Sequence, residues 1–221
     1  MIFLILLMLF QPMPAKAQET AIVDEDLICL NATLKAEEEY QIQKHLLTSI
    51  STVETGRWNQ RLQQKTAWPW TVNVKGRGYF YKTKAEAIAA VKDWQRRGYK
   101  SIDVGCMQVN LRFHGKKFAN LEEAFDPNKN VEVAARYLKK RHETRGDWLK
   151  AATDYHSKRP SKAKRYKTKL LAAIDNIKAI QEQNIAQYAS NFLVIKDNRG
   201  WFSRWFNNDK DEREIKLSLR G

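Results

Sequence analysis

With 221 residues, 43% of them hydrophobic and 11% aromatic, the chain can bury a core, which excludes a disordered polymer. A formal net charge of +14 favours anionic partners, and much of it is local, since thirteen Lys/Arg against three acids stand between Arg136 and Lys169. No helix-turn-helix, zinc-finger or RNA-binding aromatic pattern accompanies that charge, so nucleic acid is not an expected partner; an anionic wall polymer or a membrane surface would feel the same field, and so would plain water around a solvated face.

The chain opens on an apolar run, Ile2 to Phe10, followed by Gln11-Pro12 and Ala15-Lys16-Ala17. This reads as a secretory signal over residues 1–17, cut after Ala17, because the run is too short to span a bilayer and no later stretch approaches about 20 apolar residues. Residues 18–40 form a polar, acidic N-terminal segment carrying Cys29. From Gln41, the positions Leu46, Leu47, Ile50 and Val53 fall on one helical face, and that helix closes at Glu54 to Gly56. The block TVNVKGRGYFY alternates around Lys75-Gly76-Arg77-Gly78 and predicts a small β-hairpin. Thr83-Lys-Ala-Glu86 is a capping box that opens a helix ending near Gly98, and SIDVGCMQVN follows as a loop or short strand. Helical patterns return at Leu121 to Phe125, Val131 to Glu143 and Trp148 to His156, with Asp126-Pro127 and Asp147 as start signals. A last amphipathic helix, Lys162 to about Ala189, sets Tyr166, Leu170, Ile174 and Ile177 on one face. The tail GWFSRWF then spaces Trp201/Trp205 and Phe202/Phe206 four apart. Such an apolar patch suits a protein partner or a peripheral membrane contact; the alternative is that it folds back on the domain.

Two features carry chemistry. Export to an oxidising compartment lets Cys29 and Cys106 persist as a disulfide, and the pair is expected to be bridged; the alternative is two buried thiols. In SISTVETGRW, Glu54 lies at a helix C-terminus, where the dipole disfavours negative charge, and Val53 and Trp58 can desolvate it. Both effects favour the neutral acid that glycoside cleavage requires of a proton donor. From these ten residues alone, a surface glutamate at a fraying helix end is the better reading.

The order and spacing of several blocks decide otherwise. VETG, WPWTVNVKGRG, SIDVGCMQVN, FDPNKNVEVAARYL and ATDYHS together resemble the soluble-type lytic transglycosylases with a lysozyme-like fold, especially the group found with type IV secretion systems. The likeness covers roughly residues 41–166 and implies a mostly helical α+β, lysozyme-like domain with a small hairpin there. Residues 167–221 remain as a C-terminal helix and an aromatic, charged tail. The resemblance implies that Glu54 is the sole catalytic acid/base, that Gly105-Cys106-Met107-Gln108 lines the sugar groove, and that Tyr155 orients Glu54. Three positions depart from the family pattern: Thr55 stands for serine, Cys106 for leucine, and His156 for asparagine.

On this reading Gln108 and Asn110 offer amides to N-acetyl and hydroxyl groups, and Met107 supplies a soft apolar wall. Tyr155 bonds Glu54, and Trp70, preferred over Trp68, stacks on a sugar face. Asp103, before Val104-Gly105, reads as turn chemistry. His45, His114, His142 and His156 show no metal-ligand spacing with acids, so neither metal nor cofactor is expected. The implied activity is cleavage of peptidoglycan between N-acetylmuramic acid and N-acetylglucosamine by an exported, periplasmic enzyme, with secretion-system or flagellar proteins as partners through the tail. Two alternatives stay open: a hydrolytic lysozyme using Asp103 to position water, and a non-catalytic wall-binding assembly protein.

Overall fold

The computed structural model describes residues 24–156 and 160–198, with side chains described through residue 183. The expected signal over 1–17 and the aromatic tail lie outside the described residues. Helix α1 (Ile28–Glu39) buries Cys29, Ala32, Thr33, Ala36 and Glu37, the spacing of one helical face. The segment 18–40 therefore contains a core helix, packed against α2 (Leu46–Thr55) and α6 (Pro127–Arg145).

Sequence periodicity places the start of α2 at Gln41, but Gln41 (φ 53°) and His45 (φ 68°) are left-handed and hold the chain in a turn until Leu46. Its free N-terminal amides are met from another helix. The Glu37 carboxylate accepts the N–H of His45 at 2.7 Å and that of Thr48 at 2.9 Å, which clamps α1 to the start of α2. Burial pushes the Glu37 pKa up, and these hydrogen bonds pull against it. Seven of the ten α2 residues are buried, and the hydroxyls of Ser49, Thr52 and Thr55 bond back to carbonyls one turn earlier, so a helix rich in Ser and Thr sits in the interior with its polar groups satisfied.

At Gly56 the chain leaves α2 directly into β1 (Gly56–Asn59), which pairs with β2 (Gln64–Ala67) in a hairpin that the sequence does not announce. A Cβ at Gly56 would stand 2.2 Å from the Thr52 carbonyl oxygen, so the exit requires glycine. The expected hairpin forms between β3 (Thr71–Val74) and β4 (Arg77–Phe80); Lys75 and Gly76 both have positive φ, the requirement of a two-residue turn that follows strand twist. SIDVGCMQVN supplies β5 (Ile102–Val104) and β6 (Val109–Asn110), completing an antiparallel sheet of order β4-β3-β5-β6.

Before β5, helix α3 (Lys84–Arg96) is capped by Thr83, which accepts the Glu86 N–H at 3.2 Å, while the Glu86 carboxylate reaches back to the Lys82 N–H at 2.9 Å. After β6 come the short α4 (Leu111–His114) and α5 (Leu121–Ala124). Asp126 then caps α6 by accepting from Lys129, with Pro127 at the first turn. Helix α7 (Trp148–His156) precedes α8 (Pro160–Asn198), whose Tyr166, Leu170 and Ile174 enter the core. The core thus takes in α1 and the first half of α8, on either side of residues 41–166. The architecture is mostly helical α+β, and among the described residues no helix is long and apolar enough to cross a membrane.

Candidate active site

The site forms where the end of α2 meets the 105–108 loop. Gly105 (φ 76°) turns the chain out of β5, and a Cβ there would lie 2.4 Å from the side chain of Asn130 on α6. That asparagine is fully buried and pins the loop with its whole amide: Oδ1 accepts the Met107 N–H, and Nδ2 donates to the carbonyls of Val104 and Ala124, each at 2.9 Å. From α2, Ser51 donates to the Cys106 carbonyl at 2.9 Å, and the Thr55 hydroxyl shares its one proton between that carbonyl, at 3.2 Å, and the Ser51 carbonyl, at 3.0 Å. Threonine at position 55 thus supplies a buried hydroxyl donor to this loop. Cys106 is disulfide-bonded to Cys29, with a Cα–Cα distance of 5.6 Å, so α1, α2 and α6 all converge on four residues.

This anchoring places Glu54 at the edge of a groove of about 980 Å³ lined by Asn73, Asp103, Gln108, Asn110, Tyr137 and Tyr155, among others. The Glu54 side chain is 16% exposed, and His156 Nδ1 stands 3.5 Å from its Oε1. The His156 ring stacks on Tyr166 with centroids 4.3 Å apart and planes 5° from parallel. Tyr166 is buried, and its hydroxyl has no hydrogen-bond partner of proper geometry among the described residues. Burial first, then the Glu54 charge, holds that hydroxyl well above the usual tyrosine range, so it faces the carboxylate as a neutral O–H.

One wall of the groove is a row across the sheet. Asn73 on β3, Asp103 on β5 and Asn110 on β6 are directly paired in register and so share a face. Asn110 Nδ2 donates to Asp103 at 2.7 Å and to Ser101 at 2.9 Å, while its Oδ1 accepts the Arg112 N–H. Asp103 is a strand residue, which corrects the turn reading. Burial and the Glu54 charge push its pKa up, against the Asn110 bond and His156.

The candidate residues separate into two sets. Glu54, Gln108, Asn110 and Tyr155 come together along the groove. Trp70 and Met107 do not: Trp70 is 7% exposed in the core, and the Met107 side chain is fully buried, so neither offers a face to a sugar. Trp68 is buried as well, donating to the Tyr81 carbonyl at 2.7 Å beneath the Arg57 guanidinium. Aromatic residues flanking the hairpin serve the core because the sheet needs large apolar side chains between it and the helices. Tyr155 also differs from expectation, since its hydroxyl donates to the Met107 carbonyl at 2.8 Å and not to Glu54. Burial, then the Glu54 and Asp103 charges, holds it above the usual tyrosine range.

Sequence reasoning missed Phe113, which is 72% exposed on the groove rim, and Tyr137, which packs edge-on against Tyr155. Phe113 carries a weak signal in retrospect, as an aromatic between Arg112 and His114, but it ends the alternation Val109, Leu111, Phe113 and so reads as one more strand position. Asp154, in the DYH block, pairs with Arg145 at 2.6 Å and ties α7 to the end of α6. Among the described residues no group of three or more His, Cys, Asp or Glu is placed to hold a metal. A family model described as "Transglycosylase SLT domain" matches residues 31–177. No curated protein and no solved structure matches the chain.

Proposed function

The chain belongs to the transglycosylase SLT domain family, whose lysozyme-like members are lytic transglycosylases acting on peptidoglycan, and we propose that it cleaves the N-acetylmuramic acid to N-acetylglucosamine bond with Glu54 as the single acid/base. The observation that carries this reading is the position of Glu54: a mostly buried carboxyl at the edge of the 980 Å³ groove, beside the neutral hydroxyl of Tyr166. Such a setting suits proton donation to a glycosidic oxygen.

In the first step the Glu54 proton passes to the leaving oxygen as the C1–O bond breaks, and the substrate's own acetamido oxygen bonds to C1. In the second, the C6 hydroxyl adds to C1, the acetamido oxygen departs, and the hydroxyl proton returns to Glu54. No water is consumed. The product is a 1,6-anhydromuramoyl end, reached because an intramolecular hydroxyl enjoys an effective concentration that water cannot match. Gln108 and Asn110 border the sugar path, with Phe113 as the exposed aromatic platform in the place first given to Trp70.

A hydrolytic lysozyme is the second reading, favoured by one observation: Asp103 lines the same groove. Its carboxylate already accepts from Asn110, which also ties it into the strand row, so one of its oxygens is committed to the protein and not to a water. A wall-binding protein without activity would not need Glu54 enclosed at a groove. Peptidoglycan lies outside the cytoplasm and a disulfide persists in oxidising compartments, so the protein is read as exported and periplasmic, with residues 1–17 as its signal. Service to a secretion or flagellar machine through residues 190–221 follows from the resemblance to the type IV secretion-associated group. Mass analysis of muropeptides released from sacculi by the purified protein tests the reading; products about 18 Da lighter than hydrolysed muropeptides are expected. Release of no muropeptide would overturn it.

A further inference from the structure

Beside the groove lies a second, smaller cleft of about 260 Å³, lined by Val53, Glu54, His156, Lys162, Arg165, Tyr166 and Lys169. Its outer wall is one face of α8: residues 162, 165, 166 and 169 follow the i, i+3, i+4, i+7 spacing that stacks side chains over successive turns. Tyr166 is the buried member of that face, turned to Glu54, and the three cations are exposed around it. None of the three makes an ion pair with a described acidic side chain. Glu54, His156 and Lys162 line the large groove as well, so the two spaces adjoin at these three side chains.

We propose that this cleft is a carboxylate-binding subsite that seats the peptide stem of the muramoyl residue being cleaved. The inference rests on the reading that Glu54 acts at the muramoyl bond. If so, whatever enters the small cleft must be attached within about one sugar ring of that bond. A muramoyl residue carries two points of attachment there. Its C6 hydroxyl must be free to close the anhydro ring, which excludes an anion linked at C6. Its C3 lactyl group remains, and that bears a peptide with free carboxylates. Guanidinium and ammonium groups on one helix face match such a partner, and Arg165 can take a carboxylate with two parallel N–H donors. A glycan of N-acetylglucosamine alone carries no anion to place there. The site thus separates peptide-bearing wall, with several carboxylates on each stem, from amidase-stripped strands, which keep only the lactyl carboxylate, and from chitin-like strands, which have none; it gives a role to part of the basic excess between Arg136 and Lys169.

The test uses the full chain and two readouts. In the first, kcat/KM is measured on peptide-bearing glycan strands and on the same strands stripped by an amidase. For R165Q/K169Q the ratio of the two should fall about tenfold, the loss of two solvent-exposed ion pairs, and R165K/K169R should restore most of it. In wild type the ratio should decline as salt is raised. An unchanged ratio in R165Q/K169Q overturns the proposal. In the second, E54Q protein is titrated with the free stem tripeptide and, separately, with inorganic phosphate at equal ionic strength. Tripeptide binding that R165Q/K169Q weakens about tenfold supports the subsite; no tripeptide binding, or phosphate binding as tightly, overturns it. Failure of wild type to cleave either strand would count against the role of Glu54, and the titration would still decide the subsite.

Discussion

Tyr155 donates its hydroxyl to the Met107 carbonyl at 2.8 Å and so braces the groove loop, while the hydroxyl that faces Glu54 belongs to Tyr166, eleven positions further on. The two tyrosines therefore predict different losses. Tyr155→Phe strands a carbonyl in a fully buried residue and should cost about 1–3 kcal/mol in urea unfolding. Tyr166→Phe removes a hydroxyl that has no geometric partner, so stability should change by less than about 1 kcal/mol while activity falls. Full activity in Tyr166→Phe would show that Glu54 works without it.

Glu54→Gln keeps the shape of the side chain and removes the transferable proton. General acid catalysis contributes about 10²- to 10⁴-fold, and one residue serving both steps belongs at the upper end. Turbidity loss of sacculi should stop, with the melting temperature unchanged to within a few degrees. A mutant retaining more than about a tenth of the wild-type rate would remove Glu54 from the mechanism.

The Cys29–Cys106 bridge spans 77 positions, so on the chain-entropy model it restricts the unfolded chain by about 4.5 kcal/mol. Reduction should lower the melting temperature by many degrees, and Cys29→Ser/Cys106→Ser should do the same without reductant. Activity at low temperature should fall less than stability, because Asn130, Ser51 and Thr55 still hold the loop. Two alkylatable thiols in the native, oxidised protein would contradict the bridge.

Asn130 is the most connected side chain of the loop, and Asn130→Ala would leave the Met107 N–H and two carbonyls without their partner. A loss of about 3 kcal/mol or more is expected. Gly105→Ala should cost a comparable amount through a different cause, a positive φ combined with a 2.4 Å contact to Asn130. Denaturant unfolding of each variant and of the double mutant checks this: the two effects should be less than additive, since the alanine Cβ and the amide compete for one space.

What could be read from the sequence was what depends on neighbours along the chain. Thr83 and Glu86 announce a helix start within four residues, and Lys75-Gly76 announces a turn by its own φ preference. Glu54 and the loop at Gly105 were found through blocks whose order and spacing resemble a known family. The β1–β2 hairpin escaped because QRLQQKTA has no apolar alternation, and its strands are held by packing on α2. The start of α2 escaped because its cap, Glu37, sits eight residues before the first amide it accepts, on another helix. The resemblance puts Met107 in the groove wall and bonds Tyr155 to Glu54, and residue type puts Trp70 there, whereas which way a side chain turns is decided by the sheet's need for a core and by the loop's need for a brace. Tyr166 was legible only as a core position, and its second role toward Glu54 depends on α8 crossing the end of α2.

Asp103 separates the two enzymes, and its electrostatics make a stability test available beside the chemical one. Burial is the larger cause of its raised pKa and the Glu54 charge adds to it. A carboxyl with a folded pKa above its unfolded value, near 3.9, contributes stability that is fully present below that value and lost as pH rises through the folded pKa. Asp103→Asn keeps an oxygen for Asn110 and carries no charge. Its melting temperature should therefore match wild type near pH 3 and exceed it increasingly as pH rises toward neutrality. If Glu54 acts alone, the same variant should release 1,6-anhydromuropeptides at close to the wild-type yield, because the C6 hydroxyl needs no second carboxylate. An inverting hydrolase instead needs a base that holds water opposite the leaving group, so loss of that base would cost on the order of 10²-fold or more. Reducing-end muramic acid as the main product, lost on Asp103→Asn in spite of a raised melting temperature, would establish the two-carboxylate lysozyme.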